Sequence, residues 1–258
     1  MACKVIAITN QKGGVGKTTT AVNLADALAR LNKNTILIDM DPQASATLSL
    51  GMNRYSQNTI YECLTSDMPI SSCIVHPKHA RCDMVMSNIN LSNIETKLID
   101  NIDKEFILNE KIEKIKTKYD YIILDCPPSL GLITVSSLYA ADTIIIPVQC
   151  QFLAIDGLTQ LLNTIKIVQK KKKVNNKTLL IEGILLTMLD KRVKSNWQIV
   201  SEIKECFGEK VFKTIITTDV KAQIAPNYGM SVLEYSIKSS AAKQFRELAK
   251  EIVKNDEW

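Results

Sequence analysis

Short apolar runs recur along the chain at 5–8, 35–38, 121–124, 143–148, 179–186 and 211–216. Most are continuous rather than alternating, which predicts strands covered on both faces. Between them apolar residues repeat at helical spacing over 18–31, 104–118, 155–168, 196–206 and 239–254. Strands alternating with helices predict an α/β fold: an open, predominantly parallel sheet with helices on both faces. Residues 53–102 are the least periodic part and predict loops, short helices and one strand near Asp83–Met86. No Gly/Ser/Pro-rich linker or internal repeat divides the chain, so 1–258 is read as a single domain.

Parallel sheets bind ligands beyond the carboxyl ends of their strands. By that rule three loops matter most. After Val5–Ile8 comes Lys12-Gly13-Gly14-Val15-Gly16-Lys17-Thr18-Thr19, followed by the helical repeat Ala21, Leu24, Ala25 and Leu28. Strand, glycine loop and helix in direct succession are the setting of a phosphate-binding loop. Glycines let backbone N–H groups turn toward a polyphosphate, and the helix start adds its positive dipole end. Lys17 can reach the terminal phosphates, and the Thr18 hydroxyl can hold Mg²⁺. After Thr35–Ile38 comes Asp39-Met40-Asp41-Pro42-Gln43, and after Tyr121–Leu124 comes Asp125-Cys126-Pro127-Pro128-Ser129. A single aspartate after a strand is a weak signal, since aspartates cap turns and helices everywhere. Joined to the glycine loop, these carboxylates can reach a metal, a water or a phosphate.

Composition narrows the classes. A hydrophobic content of 46% with 23% charged residues fits a chain able to bury a full core. No apolar run approaches the ~20 residues of a bilayer span, and the first run is too short for a secretory leader, so a cytoplasmic protein is expected. The seven cysteines are scattered without a C-x-x-C and predict buried small hydrophobes rather than a metal cluster. His76 and His79 lie in one polar stretch and are read as surface residues. The net charge of +5 permits a polyanionic partner without requiring one.

Gln11 stands where a general phosphate loop has its first glycine, and Lys12 follows it. The resulting K-G-G-x-G-K-T loop resembles that of the ParA/MinD ATPases. With I-L-I-D-M-D-P-Q, Y-D-Y-I-I-L-D-C-P-P-S-L-G, I-P-V-Q-C at 146–150, G-L-T-Q-L-L at 157–162, G-I-L-L-T-M-L-D at 183–190 and R-E-L-A-K-E-I at 246–252, the chain is similar to the ParA or Soj partition ATPases over nearly its whole length. The resemblance implies a phosphate-loop NTPase with ATP and Mg²⁺. In it Gly13, Gly14, Val15, Gly16 and Thr19 cradle phosphate, Lys17 contacts the β/γ-phosphates, and Thr18 ligates Mg²⁺. Asp41 orients the attacking water, while Asp39 and Asp125 bond around the metal's water shell. Lys12 reaches into the partner's nucleotide across an ATP-sandwiched homodimer. It also implies non-specific double-stranded DNA binding, nucleoid association and a ParB-type partner. The family's base-framing segment falls on Thr217 and Asp219, but here Thr217 replaces proline, Thr218 replaces arginine and Ile224 replaces glutamate, so one DNA contact is either lost or moved to Lys221.

On the last helix Ala241, Ala242, Phe245, Leu248, Ala249 and Ile252 form an apolar stripe, with Lys243, Arg246, Lys250 and Lys254 in an arc of roughly 80° beside it. That segregation suits phosphate contacts; a solvated basic face explains it equally. Lys170–Lys173 is better read as cations closing a helix. The alternative function, a MinD-like membrane-cycling regulator, needs the apolar stripe of a terminal helix free for lipid; no membrane partner is expected here. A metallocluster carrier needs paired cysteines that the chain lacks.

Overall fold

The computed structural model describes residues 2–151, 158–174 and 177–256. Its elements run β1 (Lys4–Ile8), α1 (Lys17–Arg30), β2 (Thr35–Asp39), α2 (Ser45–Ser49), α3 (Ile60–Thr65), β3 (Ile74–Val75), β4 (Asp83–Val85), α4 (Ile94–Lys97), α5 (Ile107–Glu113), β5 (Tyr121–Asp125), α6 (Leu132–Ala140), β6 (Thr143–Gln149), α7 (Leu158–Val174), β7 (Leu180–Thr187), α8 (Lys194–Phe207), α9 (Val220–Ile224), α10 (Val232–Tyr235) and α11 (Ser240–Asn255). The strands form one sheet in the order β3-β4-β2-β5-β1-β6-β7, parallel except for the β3–β4 pair.

Alternate strand residues enter two cores, one on each face. Val5, Ala7, Ile36, Ile38, Ile122 and Leu124 face a layer that includes α3 and α5 to α8. Ile6, Ile8, Leu37, Tyr121 and Ile123 face α1, α10 and α11. Burial on both faces is why these runs are continuous in the sequence. β2, β5 and β1 are neighbours, and Asp125 sits in register with both Asp39 and Ile8. The three loops singled out from widely separated parts of the sequence therefore open side by side at one sheet end.

Helix α1 is tied to the carboxyl-terminal layer by two buried side chains. Asn23 Oδ1 accepts the Val232 N–H at 2.7 Å. Asp26, fully buried, accepts the Arg81 N–H at 2.8 Å, Arg30 Nε at 3.0 Å and the Ser231 hydroxyl. The stripe predicted on α11 is buried at all six positions.

Several elements differ from the sequence reading. The segment 211–216 is not a strand: it runs beside β7 with single bridges at Val211 and Thr217. The N–H groups of Phe212 and Ile216 still bond the Ile184 and Leu186 carbonyls of β7 at 3.0 and 2.9 Å, but those of Lys213 and Thr214 between them bond the Glu251 carboxylate on α11, which breaks the ladder. The helix expected at 104–118 is confined to α5, beyond which Ile115 and Lys118 make bonds to the third residue back. Ile112 and Ile115 both enter the core, and that spacing of three draws the chain into a tighter turn. The helix expected at 155–168 continues to Val174, while 155–157 lie outside the described residues. Cys206 is exposed and Cys3 half-buried, against the expectation of buried thiols that the other five cysteines meet.

Candidate functional site

The phosphate loop is shaped before any ligand binds. Gly14 and Gly16 have φ of +73° and +86°, a conformation that L side chains rarely adopt. A Cβ placed on Gly13 or Gly14 would meet nothing within 4 Å, so the loop's outer side is open to a ligand. Gly16 caps α1 with no side-chain acceptor, and no acid stands in the first turn. The N–H groups there are directed at whatever anion occupies the loop. Lys17, 8% exposed, lies beside it with Nζ 3.0 Å from the Lys12 carbonyl. Burial lowers its pKa, against the pull of Asp125 and Asp41.

Behind the loop, Asn10 serves as a brace: its Nδ2 donates to Pro147 O at 2.7 Å and its Oδ1 accepts the Lys12 N–H at 3.0 Å. From the end of β7, the Thr187 hydroxyl donates to Val15 O at 2.9 Å. The next residue, Met188, holds φ of +54° and places its methyl 3.5 Å from where a Cβ on Gly16 would lie. A non-glycine residue in that region stores strain, as residues at functional sites often do. Asn10, Thr187 and Met188 were not among the predicted site residues. The position of Thr187 at the carboxyl end of a parallel strand is the signal that could have found it.

The two fully buried aspartates at this sheet end differ. Asp39 is saturated: Oδ1 accepts the Asp41 N–H at 3.0 Å, and Oδ2 accepts the Thr47 N–H and hydroxyl, each at 2.8 Å. Burial still raises its pKa to about 6, against those bonds. Neither oxygen of Asp125 has a hydrogen-bond partner. Burial and then Asp39 raise its pKa, with Asp41 in the same direction and Thr18 and Lys17 opposing. A buried carboxylate without donors is costly to the bare protein. A divalent cation, with its water shell, matches that need, and the Thr18 hydroxyl beside it supplies a further oxygen. Half-buried Asp41 accepts the Gln43 N–H at 2.9 Å and lies near enough to Lys17 and Asp125 for its charge to act on both. The donor set thus fits a magnesium–triphosphate complex.

Asp125→Asn should raise the unfolding free energy of the nucleotide-free protein at pH 8 by about 1–2 kcal/mol, read from urea midpoints. A carboxyl whose folded-state pKa lies above its ordinary 3.8 holds its proton longer when folded, so its ionisation costs stability as pH rises. The advantage of the variant should be widest at high pH and close as pH falls toward that ordinary value. A gap independent of pH contradicts this account.

A family model described as an AAA domain matches residues 3–181. The chain is 44% identical over 253 residues to the sporulation initiation inhibitor protein Soj of Bacillus subtilis, covering 98% of this chain and 99% of that protein. It is 42% identical to the chromosome partitioning protein ParA of Myxococcus xanthus, covering 98% and 89%. The chain belongs to the ParA/Soj family of partition ATPases. Among solved structures, this family member is similar to cobyrinic acid a,c-diamide synthase from Mycobacterium smegmatis with bound ATP analog and magnesium, with a TM-score of 0.86, 30% identity, and 99% and 96% of the two chains covered.

In this ParA/Soj protein the remaining predicted residues are placed unevenly. Thr217 is occupied by α11: its N–H and hydroxyl donate to Gln244 Oε1 at 3.0 and 3.2 Å. Both Asp219 oxygens are taken, one by the Lys221 N–H at 2.9 Å as cap of α9 and one by the Ala241 N–H at 2.9 Å in the first turn of α11. Lys221 and Lys243 are exposed and, among the described residues, make no ion pair. Arg246 donates to the Ile237 carbonyl at 3.2 Å, and Lys250 pairs with Glu247 at 2.8 Å. The basic run 170–173 is less available than its sequence suggests. Lys171 pairs with Glu105 at 2.8 Å, and Lys172 is buried on the Ala141 carbonyl, where desolvation lowers its pKa to about 8.

Proposed function

We propose that this family member is an ATP-switched DNA-partition motor that dimerises around ATP, binds DNA without sequence preference, and is released when a ParB-type partner stimulates hydrolysis. The observation that carries this reading is the pair of lysines on one loop. Lys17 is buried beside the phosphate loop, whereas Lys12, five residues earlier, is exposed while its backbone is braced on both sides. A second cation held at the rim suits a nucleotide shared with another copy.

In this reading Lys17 and the N–H groups from Gly13 to Thr19 bind the β- and γ-phosphates. Thr18 and Asp125 hold the magnesium ion and its waters, and Asp39 fixes the loop that carries Asp41. When bound, the ion offsets phosphate charge as the γ-phosphoryl group leaves. Asp41 orients water for in-line attack, and Lys12 lends charge to the partner's nucleotide. Thr217 and Asp219 have their side chains committed elsewhere, and the Thr217 N–H is taken by Gln244, so neither side chain is assigned a contact with the base.

Lys221, Lys243 and Arg246, with Lys250 at the margin, would meet DNA phosphates. Against the membrane-cycling alternative stands the burial of the whole apolar stripe of α11.

The test is an electrophoretic shift on random duplex DNA with ATP, ADP or no nucleotide across a salt series. Binding should require ATP and weaken steeply with salt, and Lys243→Ala should make the log–log salt slope shallower by about one, the share of a single neutralised phosphate. Binding that is indifferent to nucleotide, or selective for sequence, overturns the reading.

A further inference from the structure

Three sulfur atoms from one stretch of chain meet away from the nucleotide site. Cys63 lies on α3, Cys73 ends the 3-10 turn Ile70–Cys73, and Met68 stands on the loop between them. Cys73 Sγ is 3.4 Å from Met68 Sδ, and the Cys63 thiol lies near enough to that of Cys73 for the two to act on each other. Both cysteines are fully buried, while half-buried Met68 links the cluster to solvent.

The backbone beneath them is fixed. The Thr59 carbonyl accepts the Cys63 N–H at 3.2 Å and the Cys73 thiol at 3.5 Å. Lys111 Nζ donates to Ser66 O at 3.0 Å and Met68 O at 2.9 Å, pinning the loop that carries the thioether. None of these groups has a part in ATP binding or hydrolysis.

We propose that Cys63, Cys73 and Met68 form a binding site for a soft monovalent cation, Cu(I). Thiolate and thioether sulfur together select Cu(I). Three sulfurs placed ~2.3 Å from one ion in a trigonal plane stand about 4 Å apart, and Cys73 and Met68 already lie within that distance at 3.4 Å. A structural zinc site needs a fourth ligand, yet among the described residues no third His, Cys, Asp or Glu joins the two thiols. Uptake exchanges two thiol protons for one ion and leaves a local charge of −1. The Lys111 and Lys114 ammonium groups are close enough to offset it.

The experiment is an anaerobic titration of Cu(I) buffered by bicinchoninate, without nucleotide. Cys3→Ser with Cys206→Ser serves as background to remove the accessible thiols. One equivalent should bind, with release of two protons and growth of thiolate-to-metal absorption. Cys63→Ser or Cys73→Ser should abolish it. Met68→Leu keeps the volume of the core and should weaken binding by more than the ~10–100-fold typical of an outer-shell partner, with the metal-free thermal midpoint unchanged. The proposal is overturned if the background variant binds less than one equivalent, or if affinity is indifferent to Met68→Leu.

Discussion

Replacing Lys12 by alanine should leave ATP binding in place and lower hydrolysis by about 10³-fold, with loss of the ATP-dependent dimer. The exposed ammonium is all that the substitution removes. Its backbone N–H remains on Asn10 Oδ1, and Asn10 remains on the Pro147 carbonyl. The Lys12 carbonyl, which receives Lys17 Nζ, is likewise retained by any residue at this position. The loop should therefore hold its shape and its grip on phosphate. What disappears is a charge offered outward, which in the proposed function holds the nucleotide shared between copies and offsets the negative charge that develops on it. Lys17→Ala differs, since it removes the buried cation beside the phosphates and should abolish binding itself. Nucleotide titration, light scattering and phosphate release on the two variants separate these roles. Unchanged turnover in Lys12→Ala excludes a role in trans.

The largest loss of stability outside the nucleotide site is expected from Asp26→Ala, about 3–5 kcal/mol in urea unfolding. This carboxylate is fully buried in α1 and joins three parts of the chain: Arg81 before β4, Arg30 one turn on, and Ser231 before α10. Its removal leaves the Arg81 N–H and the Ser231 hydroxyl without their acceptor. Arg30, whose pKa is raised by Glu234 and Asp26 against its own burial, keeps only Glu234, at 2.6 Å. Truncating one member of a buried, hydrogen-bonded charge set leaves its partners desolvated, and that penalty exceeds the worth of any single bond. A loss under about 1 kcal/mol would show that the site relaxes or admits water.

The sheet and its active end were legible because two physical signals coincided. Strands covered on both faces are written as unbroken apolar runs, and a loop that must turn N–H groups outward is written in glycine. Asp39, Asp41 and Asp125 could be gathered from the rule that ligands sit beyond strand ends, and β2, β5 and β1 are indeed adjacent. Helix α6 was not legible. Leu132–Ala140 is apolar nearly all round, so it shows no polar face from which to read a period.

The 211–216 segment has the composition of a strand, but its pairing with β7 is interrupted at Lys213 and Thr214 by Glu251, a residue of another element that no local pattern registers. Thr47, which holds Asp39, and Thr187, which holds the phosphate loop, act through tertiary contacts of otherwise ordinary hydroxyls. Residue type alone does not single out such positions.

The helix that begins at the phosphate loop is the same one whose interior Asn23 and Asp26 are bonded to the chain around Ser231 and Val232. Close by, the backbones of Gly51 and Gly229 pass so tightly that a Cβ on Gly229 would lie 2.8 Å from Gly51 Cα. A displacement of α1 at its first turn would thus be handed on, through the side chains of Asn23 and Asp26, to the chain at Ser231 and Val232.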